Sequence, residues 1–103
     1  MPQKIPNPST IEREVLRLLA NNSGLYGLEM VKASNLLKRG TIYVTLNRME
    51  DKGWVVSKPD DDPTYPGMAR RRYFLSGDGR RIAAFVETAE AFFAAQPAGG
   101  VVQ

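Results

Sequence analysis

Between residues 38 and 48 the chain carries Lys38, Arg39, Thr41, Tyr43, Asn47 and Arg48, and residues 70–72 add three consecutive arginines. All of these side chains donate hydrogen bonds. The lysine and the arginines match phosphate oxygens, and the hydroxyls of Thr41 and Tyr43 can bond a phosphate or a base edge. The amide of Asn47 presents the paired donor and acceptor suited to adenine, Arg48 has a long phosphate reach, and Val44 can lie on a thymine methyl group. This is the chemistry of recognition. Bond-making chemistry lacks its usual means, because the sequence contains no cysteine and no histidine. Thiol nucleophiles, disulfides, thiolate ligands, imidazole ligands and the commonest general base are all excluded together. The remaining hydroxyls, carboxylates and lysines have no spacing that groups them. No catalytic residue, cofactor or metal is therefore expected, and the chain does not read as an enzyme. Asp60, Asp61 and Asp62 form an acidic run beside two prolines, which reads as a solvated loop rather than a metal site.

The net charge of +3 and pI near 9.4 are a weak signal until the charge is located. Residues 38–81 hold ten Lys or Arg against six Asp or Glu, a net of +4, and the remainder holds four against five. The positive charge thus lies in the middle of the chain, the asymmetry expected of a nucleic-acid binder. The N-terminal MPQKIPNPST has no apolar signal core, and no run approaches the ~18 apolar residues of a membrane helix. A cytoplasmic protein without membrane contact is expected.

The elements that must position these residues are legible in outline. With 103 residues there is room for one domain, which buries roughly 60–65% of its unfolded surface, so association would help its stability. Ser9 and Glu12 stand three apart before an apolar run, a capping-box pattern that starts a first helix. Ile11, Val15, Leu18 and Leu19 mark its inner face, with Glu12, Arg13, Glu14 and Arg17 opposite and Asn21 and Asn22 at its end. A second helix is expected from Tyr26 to Ala33, with Leu25, Leu28 and Val31 as its apolar stripe. Gly27 inside it costs about 1 kcal/mol against alanine and implies that another element comes close. In a third helix Ile42, Leu46 and Met49 face inward, while Thr41, Tyr43, Val44, Asn47 and Arg48 face away. Lys38 and Arg39 precede it, opposing the helix dipole unless a phosphate docks there. Lys52 and then Gly53 close it.

Beyond Gly53 the period changes from 3.6 to 2, and WVVSKP and RRYFLS read as the strands of an antiparallel hairpin. Alternation sends Arg71 to one face and Arg70 and Arg72 to the other, so at least one arginine pairs internally, with Glu50 or Asp51 as candidates. Trp54 reads as core, or else as the border of a flat-ligand pocket. Tyr43 reads as a groove contact or as packing against the hairpin. Ser76 caps a last helix whose residues Ile82, Phe85, Val86, Ala89, Phe92 and Phe93 form one broad apolar stripe, ended by Pro97. Such a stripe exceeds what a small core covers and is expected to be a dimer interface, folding back on the first helix being the alternative. The order helix, helix, helix, hairpin, helix gives a mostly α fold with a small β-hairpin. It is a winged helix-turn-helix over residues 9–81 and a C-terminal dimerisation helix over 76–96. A flexible arm (1–8) and a flexible tail (97–103) flank it.

Three stretches, GLEMVK, GTIYVTLNRMEDKGWV and RRRYFLSGDGRR, together resemble the PadR family of bacterial transcriptional regulators. The matching positions are Gly40, Thr41, Ile42 and Tyr43; then Arg48, Met49, Glu50 and Gly53; then Arg71, Arg72, Tyr73, Leu75, Ser76 and Gly79. The resemblance implies a dimeric, repressor-type winged helix on a palindromic operator of double-stranded DNA. It carries DNA contacts onto Thr41, Tyr43 and Arg48 and wing contacts onto Arg71 and Arg72. Relatives that respond to phenolic acids or flat hydrophobic drugs imply a small effector. Lys38 stands where relatives often place a serine, and a single C-terminal helix matches the short members of the family. The competing reading is a winged helix that binds a protein partner and no DNA. Salt separates the two, since DNA affinity falls steeply with ionic strength.

Overall fold

The local signals at the first helix produce what they encode. The computed structural model describes residues 7–61 and 69–94. Helix α1 runs over Thr10–Asn21, with Ser9 Oγ accepting from the Glu12 amide and Glu12 Oε1 accepting from the Ser9 amide. A two-residue strand β1, Leu25–Tyr26, leads directly into helix α2, Gly27–Ala33. Helix α3 spans Ile42–Asp51, strands β2 and β3 span Val55–Asp61 and Ala69–Leu75, and helix α4 spans Gly77–Ala94. The expected flexible tail and most of the expected arm and hairpin loop, Asp62 among them, lie outside the described residues.

The sheet has the order β1-β3-β2 and is antiparallel throughout. The hairpin is therefore joined by a third strand that its sequence does not announce. Two residues cannot show a period of 2, and Tyr26, expected to open the second helix, is instead a strand residue paired with Arg72. Pro59 is tolerated because β2 lies at the sheet edge, where a missing N–H breaks no ladder on its outer side. Both described positive-φ residues are glycines: Gly53 at φ 81° ends α3, and Gly24 at φ 79° turns the chain into β1.

The core is built from Val15, Leu16, Leu18 and Leu19 of α1, Met30 of α2, Leu37, and the inner face of α3. Val55, Tyr73 and Leu75 of the sheet and Ile82, Ala83 and Val86 of α4 complete it. Within α2 the buried side chain is Met30, while Leu28 is exposed. Of the expected stripe, Leu25 and Val31 pack partly buried against the core and only Leu28 faces out. Trp54 is half-buried and packs against this core, with the Lys52 ammonium 4.5 Å from its ring centre.

Glu12 departs from the expected polar face of α1. It is only 6% exposed and forms an ion pair with Lys52, Oε2 to Nζ 2.6 Å. One carboxylate thus caps α1 and ties it to the last turn of the helix that carries the candidate contacts. Burial by itself would raise the Glu12 pKa. The hydrogen bonds from Lys52 and Ser9, with the Lys52 charge, outweigh that and hold it below its ordinary value. The unfolded state therefore binds the proton more readily than the folded one. The pair's contribution is complete above the ordinary carboxyl range and is lost as pH falls through the depressed folded value. Glu12→Gln is expected to lower stability by about 1–2 kcal/mol near neutral pH. It should also flatten the acid limb of stability against pH, measured by urea melts. An unchanged acid limb would place the proton-sensitive group elsewhere.

Candidate nucleic-acid interface

Helix α3 separates cleanly into two faces. Ile42, Leu46 and Met49 are essentially inaccessible, while Thr41, Tyr43, Val44, Asn47 and Arg48 are exposed, as are Lys38 and Arg39 ahead of them. Thr41 occupies the N-cap position without a side-chain cap bond, and no acidic residue stands in the first turn. The Lys38 carbonyl accepts from the amides of Thr41 and Ile42 and so turns the chain into the helix. The start of α3 therefore combines amides that no side chain caps with two cations, an arrangement that favours an approaching anion.

Tyr43 faces the β3 strand of the hairpin across a shared cleft and packs on the second helix. Its ring lies on Gly27 at the start of α2, where an added Cβ would come within 2.8 Å of the ring. The glycine that the helix pattern tolerated is thus the seat of this tyrosine, which remains 45% exposed. Tyr43 also borders a cleft of about 460 Å³ between α3, the start of α2 and β3, lined further by Tyr26, Lys32, Arg39, Arg70, Arg71 and Tyr73. The lining is aromatic and predominantly cationic. Tyr73 itself is buried, and that burial pushes its phenol pKa up, so it stays neutral.

The three arginines of β3 divide as alternation requires. Arg71 Nε donates to Ser57 Oγ at 2.8 Å, and that hydroxyl donates to Glu50 Oε2 at 2.8 Å. The expected link to the end of α3 exists, but it runs through a serine. On the other face Arg70 and Arg72 lie over the Tyr26 ring, at 5.1 and 4.4 Å from its centre. Arg72 Nε donates to Asp60 Oδ2 at 2.7 Å and its Nη1 to the Gly24 carbonyl at 3.1 Å. Tyr26 Oη donates to the same Asp60 oxygen at 2.5 Å. That phenol and then Arg72 hold the Asp60 carboxyl below its ordinary pKa, so it is ionised at neutral pH. The structure thus brings Arg39, Tyr43, Arg70 and Arg71 to one cleft, sets Asn47 and Arg48 further along α3, and gives Arg72 an acidic partner. Tyr26 and Gly27 are site residues that the sequence pattern missed; the glycine inside an expected helix was the only available signal.

Of the stripe on α4, Ile82 and Val86 belong to the core of the single chain, where the first half of the helix meets α1. These two positions, expected at a dimer interface, are already covered. Ala89 is half-buried, and Phe85, Phe92 and Phe93 are 56%, 61% and 72% exposed, the last two in edge-to-face contact. None of the described helices is long and apolar enough to cross a membrane.

A family profile described as "Transcriptional regulator PadR-like family" matches residues 15–84. The chain belongs to this family. Among solved structures, a PadR family transcription regulator from hypervirulent Clostridium difficile R20291 superposes with a TM-score of 0.71 at 27% identity, covering 84% of this chain and 92% of that one. A padr family transcriptional regulator from Eggerthella lenta DSM 2243 gives a TM-score of 0.67 at 24% identity, over 82% and 75% of the two chains. NadR in complex with 4-hydroxyphenylacetate gives 0.67 at 24% identity, over 84% of this chain and 59% of NadR, a likeness of fold alone. No curated protein matches the sequence. The four helices and three-stranded sheet are thus a PadR-type winged helix, with α2 and α3 as its helix-turn-helix and the β2–β3 hairpin as its wing.

Within this PadR-like chain the exposed face of α3 yields a direct expectation. Arg48→Ala should weaken DNA binding and lower the slope of log affinity against log salt by about 1, the signature of one lost phosphate contact. Tyr43→Ala should weaken binding by ~1–3 kcal/mol if the phenol reaches a base. Arg48→Ala should melt like the parent because its side chain is exposed. Tyr43→Ala should stay folded with a small loss, since its ring is only partly covered by Gly27. Filter binding across a salt series checks both. Two unchanged affinities would remove α3 from the interface.

Proposed function

We propose that this chain is a dimeric, sequence-specific DNA-binding regulator of repressor type that reads a palindromic operator with α3 and the wing. The carrying observation is the division of α3 into a sealed apolar face and an exposed face of Thr41, Tyr43, Val44, Asn47 and Arg48. Cations flank that face at Lys38 and Arg39 and at Arg70 and Arg71 of β3. A major groove accepts one such helix, and a twofold dimer presents two of them about 34 Å apart, one turn of the duplex. The uncovered phenylalanines of α4, with Ala89, are the proposed seam. Selection of bound sequences from a random duplex pool tests the reading: a recovered palindrome supports it. A protein that retains nothing at low ionic strength sinks it.

A small aromatic effector forms part of the same proposal, supported by the tyrosine-lined, cationic cleft beside α3. Titration with 4-hydroxyphenylacetate, the molecule bound by NadR, should raise the melting temperature if the cleft takes aromatic acids. An unmoved melting curve removes that part alone.

A further inference from the structure

Among the described residues, one face of the wing holds three cations and one carboxylate. Arg70, Arg72 and Lys58 share it, Lys58 directly opposite Arg72 in the register and Asp60 directly opposite Arg70. Like charges facing each other across two strands repel, so this face needs an anion to be stable. Asp60 supplies it. A single oxygen of Asp60 receives both the Arg72 Nε–H and the Tyr26 hydroxyl, and a second Arg72 nitrogen is tied to the Gly24 carbonyl. Arg72 is fixed at three points: a carboxylate in front, an aromatic ring below and a carbonyl beyond. Such a guanidinium is both oriented and neutralised, whereas a phosphate contact needs a cation with unspent charge.

We infer that Asp60 is an affinity-setting residue of the DNA interface: with Tyr26 it clamps Arg72 and withholds that wing arginine from the phosphate backbone. The inference rests on the DNA-binding reading above and refines it. The resemblance to known regulators placed Arg72 among the DNA contacts, whereas the geometry makes it a wing-ordering residue. An aspartate on a DNA-facing wing otherwise has no favourable part to play, because a carboxylate repels the backbone. As a clamp it limits nonspecific affinity, which scales with the number of phosphates neutralised, and leaves base-reading contacts on α3 untouched.

The test is a double-mutant cycle on the full chain with a nonspecific duplex, read as affinity over a salt series. Asp60→Asn keeps the size of the side chain and removes its charge. It should bind several-fold more tightly at low salt and steepen the slope of log affinity against log salt by about 0.9, the value for one added phosphate contact. Arg72→Gln should change little in the native background and should abolish the gain in the Asp60→Asn background. Two results overturn the clamp. One is Asp60→Asn binding no more tightly than the parent; the other is a gain that persists undiminished with Arg72→Gln, a general charge effect. Melting curves of all four proteins accompany the titrations. A wing loosened by repulsion appears as a lowered melting temperature with weaker binding in Asp60→Asn, and that outcome also counts against the clamp. If the parent binds no duplex, the DNA-binding reading and the clamp fall together. If the parent binds and Asp60→Asn is neutral, only the clamp falls.

Discussion

Gly79→Ala is expected to lower the melting temperature by more than ~12 °C, although it adds one methyl group. A Cβ at Gly79 would stand 1.9 Å from the Trp54 carbonyl oxygen and 2.9 Å from its carbonyl carbon. The obstacle is backbone, so no rotamer change relieves it. The same carbonyl accepts the Ser76 amide, and the Ser76 hydroxyl accepts the Gly79 amide and donates to the Gly53 carbonyl. Helix α4, the end of α3 and the first wing strand meet at this point, and moving one disturbs all three. Overpacking of this kind costs about 3 kcal/mol or more, against a total stability of ~5–15 kcal/mol for a domain this size. One kcal/mol corresponds to roughly 4–8 °C here. Gly77→Ala is the control: a Cβ there meets nothing within 4 Å, so its melting temperature should be unchanged or slightly raised. Equal melting of the two variants would mean that the α4–Trp54 approach is not rigid.

Phe92→Glu should convert the proposed dimer into an 11.4 kDa monomer in sedimentation and reduce affinity for the proposed operator by a factor of ~10² or more. The loss arises because two linked recognition helices gain from each other's binding, and a lone helix does not. Phe92 and Phe93 present two large aromatic surfaces, each worth about 1.5–3 kcal/mol when buried, and the described part of the chain does not cover them. A glutamate at the centre of an apolar seam would be buried without a partner, which costs more than the lost packing. Phe92 is 61% exposed, so the monomer should keep its fold. A dimer that survives the substitution would put the seam elsewhere on the molecule.

The aromatic stripe of α4 is visible in the order of residues, because a helical period needs only local regularity. Its division is not visible: Ile82 and Val86 fill the core of their own chain while Phe85, Phe92 and Phe93 stay outside. Where the body of the protein ends along a helix depends on what α1 offers to cover. The obstacle at Gly79 is likewise invisible in sequence, since Trp54 lies twenty-five positions earlier.

By itself the sequence determined whatever depends on neighbours a few residues apart. The capping box at Ser9 and Glu12, the two faces of α3, the glycine stop at Gly53, the strands on either side of the wing loop and the cap at Ser76 all form as written. It also determined the family, through residue types at fixed spacing along the match. Tertiary structure alone decided which charges are spent. Glu12 finds Lys52 forty residues away, and Tyr26 finds Asp60 thirty-four residues away. Strand β1 exists only because β3 offers it an edge. The physical reason is that an ion pair or a sheet register carries no period along the chain. It is set by which surfaces meet once the apolar faces have been buried, and that meeting leaves Arg72 on a carboxylate and Tyr43 on a glycine.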